Sequence, residues 1–213
     1  MPQTIPGQEP PFNPLNKLQL GISVVNALLR RPCGPLPPPP FRGVGVYAIY
    51  YHGEFPAYRS ISNKECMAPI YVGSAIPKGG RKGVFGLEGQ ATNELSNRLR
   101  QHAASIEQSE NLRLDDFTCR YVVVDEIWIP LAEQLLIAQA QPVWNGVVDG
   151  FGNHPPGKGR AGGARPLWDE LHPGRQWAKT LPSASLTSKQ IVQRIAAFFT
   201  TSASPPEIGD EPE

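Results

Sequence analysis

Apolar and polar positions alternate along this chain in segments that name their own elements. Leu15, Leu18, Ile22, Val25 and Leu29 recur at helical spacing, which predicts a helix over Leu15 to Arg31. Prolines bound it on both sides, so it must pack on something, either the core or another subunit. Val44 to Tyr51 is β-branched and aromatic, and Pro69 to Ser74 is a second short apolar run; both read as strands. Residues 52–68 form a long connection between them, with room for an extra strand. Thr92 to Ile106 is polar, with Leu95, Leu99 and Ala103 on one stripe: a helix capped by Thr92 or Asn93. Phe117 to Val124 reads as a third strand. Pro130 to Gln141 reads as a helix, with Pro130 in its first turn and Pro142 beyond its end. A glycine-rich loop and a weakly patterned segment, Trp168 to Trp177, follow. Ser188 to Phe199 is amphipathic, with Ile191, Val192, Ile195 and Phe199 facing inward.

The order strand, strand, helix, strand, helix predicts an α+β fold. Its small sheet of about three core strands is flanked by helices, with too few strands to be doubly wound. Prolines and glycines, 24 and 21 in number, concentrate outside that core. Residues 1–14 and 32–40 are proline-rich arms with no expected regular structure. The expected organisation is a proline-rich arm and helix over 1–42 and a folded core over 43–150. A basic extension with a terminal helix follows over 151–202, then an acidic tail over 203–213.

Composition narrows the class. No apolar run approaches the roughly 20 residues that span a bilayer. The N-terminus lacks the apolar stretch of a signal peptide, so neither membrane association nor export is expected. Cys33, Cys66 and Cys119 are odd in number and form no CxxC pair, which argues for a reduced cytoplasmic protein without disulfides or a zinc finger. The net charge of +1 is unevenly spread. Glu207, Asp210, Glu211 and Glu213 make the tail acidic. Lys78, Arg81, Lys82, Arg98 and Arg100 form one basic stretch; Lys158, Arg160, Arg165, Arg175 and Lys179 form another. Such patches suit phosphate contacts, although on charge alone a solvated surface is the better reading.

The chemistry lies in the core. Tyr47, Ile49 and Tyr51 share one face of the first strand. A tyrosine there can take a proton from water if a cation favours its phenolate, though a core aromatic has the same pattern. Arg98 and His102 are four apart on a helix and point the same way. A guanidinium so placed can hold a phosphate and its transition-state charge. Glu133 sits among Leu131, Leu135, Leu136 and Ile137, and a carboxylate there can serve a hard cation or simply face water. Gly157-Lys158-Gly159-Arg160 lacks the remaining residues of a P-loop, and His154 and His172 lack the partners of a zinc site.

Taken in order, Gly45-Val46-Tyr47, Tyr71-Val72-Gly73, Arg98, His102, Glu133 and Pro142-Val143-Trp144-Asn145 resemble the pattern of the GIY-YIG nuclease superfamily over residues 43–146. The resemblance implies a metal-dependent phosphodiester hydrolase with catalytic Tyr47, Tyr71, Arg98, His102, Glu133 and Asn145. Glu133 would bind Mg2+ or another divalent cation, and Asn145 would orient Glu133 or a loop. Many relatives follow the second tripeptide with a lysine; Ser74 stands here and moves the proton burden onto His102. Tyr47 and Tyr71 are 24 apart, wider than the usual spacing, which leaves Tyr51 as a rival base. Tyr47 leads on motif register alone.

No linker to a separate DNA-binding module is expected from these residues, and the wrapped organisation resembles type II restriction enzymes of the superfamily. Tyr71 to Gly83 is similar to the subgroup that cleaves CCGCGG. That likeness implies double-stranded DNA as substrate and, for a palindrome, a homodimer. Lys78, Arg81, Lys82, Arg160, Arg165 and Arg175 are the candidates for DNA contact. A repair or structure-specific nuclease and a catalytically silent DNA-binding protein are the alternatives.

Overall fold

In the computed structural model, which describes residues 16–76, 92–155 and 163–202, the fold is organised by one fully buried strand. This strand, β2 (Gly45–Tyr51), has no exposed residue. Its side chains divide by parity: Tyr47, Ile49 and Tyr51 enter one core cluster, and Val46, Ala48 and Tyr50 enter another. A strand covered on both faces reads as a continuous apolar run, and Gly45–Tyr51 is such a run. The sheet is antiparallel and four-stranded, in the order β1 (Gly34–Pro35), β4 (Phe117–Val123), β2, β3 (Pro69–Ala75). Strand β3 is therefore an edge. Tyr47 lies opposite Gly73 on one side and Tyr121 on the other.

Helices cover both faces. Helix α1 (Lys17–Leu29) and α3 (Ile129–Ala140) bury Val25, Leu28, Ala132 and Leu136 with Val46 and Val72. Helix α2 (Glu94–Glu107), α4 (Val143–Gly146), α5 (Leu167–Leu171) and α7 (Ser188–Ser202) bury Leu95, Leu99, Trp144, Trp168, Ile191 and Ile195 with Tyr47. A further short helix, α6 (Gln176–Lys179), follows α5. Residues on either side of the expected 43–150 core thus share its two apolar clusters.

The helix ends are built as their sequences suggest, with one exception. Asn16 caps α1 through its side chain onto the Leu18 N–H. Helix α3 carries Pro130 in its first turn and stops at Gln141, whose φ of 43° is left-handed, before Pro142. Asn93 precedes α2 but makes no side-chain cap; the Gly43 carbonyl accepts from the Leu95 N–H instead.

Several expectations are corrected. The proline-rich stretch after Pro32 contributes β1, paired to β4 at Gly34↔Cys119 and Pro35↔Thr118. Residues 52–68 hold a short 3-10 turn, Pro56–Tyr58, and no strand; the turn buries Tyr58 in the core. Val192 is turned outward from α7, while Ile191 and Ile195 are buried. Cys33 and Cys66 are joined by a disulfide, against the expectation of none. They are 33 residues apart, and the pairing of β1 with the sheet brings them together. Cys119 stays free and buried, and burial pushes its thiol up to about 12. Among the described residues no helix is long and apolar enough to cross a membrane. The proline-rich residues 1–14 and the acidic tail lie outside the described residues.

Candidate active site

The site is assembled around the edge strand β3. Tyr47 comes from β2, Tyr71 from β3, and Arg98 and His102 from α2, all on one face of the sheet. The Tyr47 hydroxyl lies 2.6 Å from His102 Nε2, and both residues are buried. Tyr71 packs edge-on to His102, centroids 5.1 Å apart. Phe151 supports them both: its ring stacks on His102 at 4.5 Å and meets Tyr71 edge-on at 5.0 Å. Tyr51 lies at the far end of β2, where its hydroxyl accepts a hydrogen bond from the Phe55 N–H at 2.7 Å. Tyr47, and not Tyr51, therefore stands beside His102.

Two glycines leave room for this cluster. A Cβ on Gly73 would collide with the Tyr47 hydroxyl, so the glycine of the second tripeptide permits the tyrosine to cross the neighbouring strand. A Cβ on Gly152 would sit 2.7 Å from the Tyr71 hydroxyl and 3.0 Å from Arg98 Nη2. The Gly152 carbonyl instead accepts from Arg98 Nη2 at 2.9 Å.

Glu133 approaches from the opposite face. It projects from α3 to the β3 edge, where Oε2 accepts the Ser74 hydroxyl at 2.8 Å. Ser74, the departure from the lysine of many relatives, thus fixes the carboxylate. Asn145, on α4, closes the edge as a strand would. Its Oδ1 accepts from the Val72 N–H at 2.9 Å and its Nδ2 donates to the Val72 carbonyl at 2.8 Å. Both backbone groups of Val72 are satisfied by one amide, next to Tyr71. Asn145 orients the strand rather than Glu133.

A family model described as the Eco29kI GIY-YIG domain matches residues 39–199. The chain belongs to this family. The match runs on through most of α7, well beyond the motif-bearing residues 43–146. No curated protein matches the chain. As a restriction-type GIY-YIG nuclease, a hydrolase of DNA, it has the fold expected of it: a small antiparallel sheet between helices.

Electrostatics in the nuclease site keep its two phenols and its imidazole neutral. Burial pushes the Tyr47 phenol well above its usual value, and Tyr71 adds to this. Arg98 pulls back through its charge and a hydrogen bond, while Glu133 pushes the other way. Tyr71 is raised by burial and again opposed by Arg98. Burial holds the His102 imidazole far below its usual range, with Arg98, His154 and Arg175 contributing. A neutral phenol therefore faces a neutral imidazole.

The residues present fit one kind of cation. Among the described residues no group of three or more His, Cys, Asp or Glu could hold a metal. Glu133 is a single carboxylate beside a hydroxyl, a donor set that suits a hard divalent ion keeping most of its water.

The candidate DNA contacts separate. Lys78, Arg81, Lys82 and Arg160 lie outside the described residues. Arg165 is half-buried, paired with Glu170 at 3.0 Å and bonded to the carbonyls of Ala178 and Leu181. Arg175 is corrected outright. Its side chain is 2% exposed; Nε and Nη2 grip Asp169, and the two Nη atoms donate to the carbonyls of Gly150, Phe151 and Asn153. All five N–H groups have partners, and the guanidinium lies between the rings of Trp168 and Trp177 at 4.6 and 4.7 Å. No donor is left for a base.

Sequence reasoning missed Phe151, Gly152 and His154. They follow the last motif residue in a glycine-rich loop, and nothing in the local pattern pairs them with α2. An aromatic and a histidine inside such a loop were the only signal.

Proposed function

We propose that this nuclease is a type II restriction endonuclease that hydrolyses double-stranded DNA at a short GC-rich palindrome, CCGCGG, with a divalent cation. The observation that carries the reading is the 2.6 Å contact between Tyr47 and His102, flanked by Arg98 and Tyr71, with Glu133 across the same strand edge.

Tyr47 passes its proton to His102 Nε2 as its oxygen takes one from the attacking water. No free phenolate is needed, which suits a buried phenol whose acidity is suppressed, and the positive charge left on His102, which burial and Arg98 disfavour, is offset by the negative charge growing on the phosphate. Arg98 holds the scissile phosphate and the charge that grows on it. Tyr71 orients a phosphate oxygen by hydrogen bond. Glu133 would hold the cation, Mg2+ by default, whose charge would stabilise the leaving oxygen and offset the carboxylate that now raises both phenols. Asn145 keeps Tyr71 in place through Val72.

The site sequence is supported by the likeness of Tyr71 to Gly83 to enzymes that cut CCGCGG. A palindrome calls for a two-fold protein, hence a homodimer. In this reading the chemistry is centred on residues 43–150, wrapped by the N-terminal arm and the basic extension. Lys78, Arg81, Lys82, Arg160 and the half-buried Arg165 remain the proposed DNA contacts. The test is digestion of a plasmid carrying one CCGCGG site, with Mg2+, beside Glu133→Gln. One linear product, lost in the variant, supports the reading. General nicking points to a structure-specific nuclease; an intact plasmid that the protein still shifts in a gel points to a silent binder. Activity surviving in the variant removes Glu133 from the metal site.

A further inference from the structure

Arg98 is gripped from outside its own helix by one loop, and the donor rules fix the chemistry of that grip. Its Nη1 lies 2.6 Å from His154 Nε2, and its Nη2 donates to the Gly152 carbonyl at 2.9 Å. A guanidinium donates and never accepts. His154 Nε2 must therefore carry a lone pair, which places the imidazole proton on Nδ1 and makes the ring neutral. The surroundings favour that state: partial burial, Arg98 and Arg175 all lower the basicity of His154.

We propose that His154 is a positioning residue for the phosphate-binding guanidinium of Arg98, acting through a neutral Nε2 acceptor. The choice of a neutral acceptor matters. A carboxylate in the same place would hold the fork as firmly but would cancel its charge and compete with DNA phosphate. An imidazole orients the guanidinium and leaves its full charge for the substrate. The second acceptor, Gly152 O, comes from the same loop, so the fork is held at both terminal nitrogens. That loop is itself braced from behind, where Arg175 binds the carbonyls of Gly150, Phe151 and Asn153. His154 also lines the same open groove as Arg98, with Asn97, Arg100 and Gln101, in a cavity of about 530 Å³.

This inference rests on the functional reading of Arg98, and the experiment separates the two. Single-turnover cleavage of DNA and binding without divalent cation are measured for His154→Ala, His154→Gln, Arg98→Ala and the Arg98→Ala/His154→Ala double variant. Loss of orientation rather than of binding lowers the rate of His154→Ala by about tenfold or more while affinity changes by less than about threefold. His154→Gln, which keeps an acceptor near the Nε2 position, recovers most of the rate. In the Arg98→Ala background, His154→Ala costs nothing further. If Arg98→Ala cleaves like the parent protein, the functional reading fails and takes the inference with it. If Arg98→Ala is impaired and His154→Ala is normal, or His154→Ala lowers the residual rate of Arg98→Ala by the same factor as that of the parent protein, the inference alone is overturned. A measurement independent of cleavage is the 15N side-chain spectrum of the free protein. An unprotonated Nε2 on His154 that is disturbed by Arg98→Ala supports the grip; a protonated Nε2 overturns it, whatever the enzyme cuts.

Discussion

Replacing Arg175 with methionine should be among the most damaging single changes in this protein, and its cost can be worked from the contacts. The guanidinium makes two hydrogen bonds to Asp169 and three to backbone carbonyls, and the two charged side chains are 2% and 1% exposed. Removing one partner of a buried ion pair costs about 3–5 kcal/mol, because the other charge is left without compensation. The ceiling is set by Asp169 itself, which can take up a proton rather than stay charged. Against a total stability on the order of 5–15 kcal/mol, the loss brings the protein near its unfolding threshold. Urea unfolding followed by tryptophan fluorescence measures it, with Trp168 in direct contact with the deleted group.

Two features distinguish this mechanism from a general packing defect. Burial already raises the Asp169 carboxyl, and Arg175, by hydrogen bond and charge, pulls it down with a smaller contribution from the charge of Arg165. In Arg175→Met the folded-state value rises further above the unfolded one. The contribution of Asp169 to the variant's stability is then intact below the ordinary carboxylate value of about 4 and lost as pH rises through the raised value. The deficit relative to the parent protein should therefore grow as pH rises from the parent's own raised value toward the variant's higher one. Replacing both partners, as in Arg175→Met/Asp169→Leu, removes the stranded charge and should recover part of the loss. A pH-independent deficit under about 1 kcal/mol, or a double variant less stable than Arg175→Met, would refute the reasoning.

Three other outcomes are expected. Tyr47→Phe should lower cleavage by about 10²–10⁴ while DNA binding persists, and Tyr51→Phe should not; the reverse result in single-turnover assays would return Tyr51 to the role of base. Asn145→Ala should cost about 1–3 kcal/mol by leaving both backbone groups of Val72 unpaired, with faster amide hydrogen exchange at Val72 as its signature; unchanged exchange would count against the edge clamp. His102 and His172 are both held neutral by burial, His172 down at about 3. Their contribution is complete above the unfolded histidine value of about 6.5 and is lost as pH falls below it, by about 1.4 kcal/mol per pH unit for each group, so a urea midpoint unchanged from pH 7 to 5 would contradict it.

The elements of the fold were legible because each repeats a local rule. Periodicity placed α1, α2 and α7, prolines bounded α3, and the unbroken apolar run of β2 matched a strand covered on both faces. The order of tyrosine, tyrosine, arginine, histidine, glutamate and asparagine was equally readable, since a motif survives as spacing along the chain. The chain alone also placed Tyr47 and Tyr51 on one face but could not rank them. Register did that, setting Tyr47 opposite Gly73 and within reach of His102, with Tyr51 tied to Phe55 at the other end.

The fate of charge and of loops depended on tertiary structure. Arg175 and Arg98 look alike in sequence, each beside other basic residues, yet one is sealed between two tryptophans and the other borders an open groove. Formal charge is a property of the residue, but solvation is a property of what folds over it. Glu133 reaches the site only because β3 is an edge strand that a helix on the opposite face can reach around. His154 meets Arg98 across 56 residues, and Cys33 meets Cys66 across 33, through contacts that no local period encodes. Sequence patterns report which face a side chain takes within its own element; only packing decides which other element that face will meet.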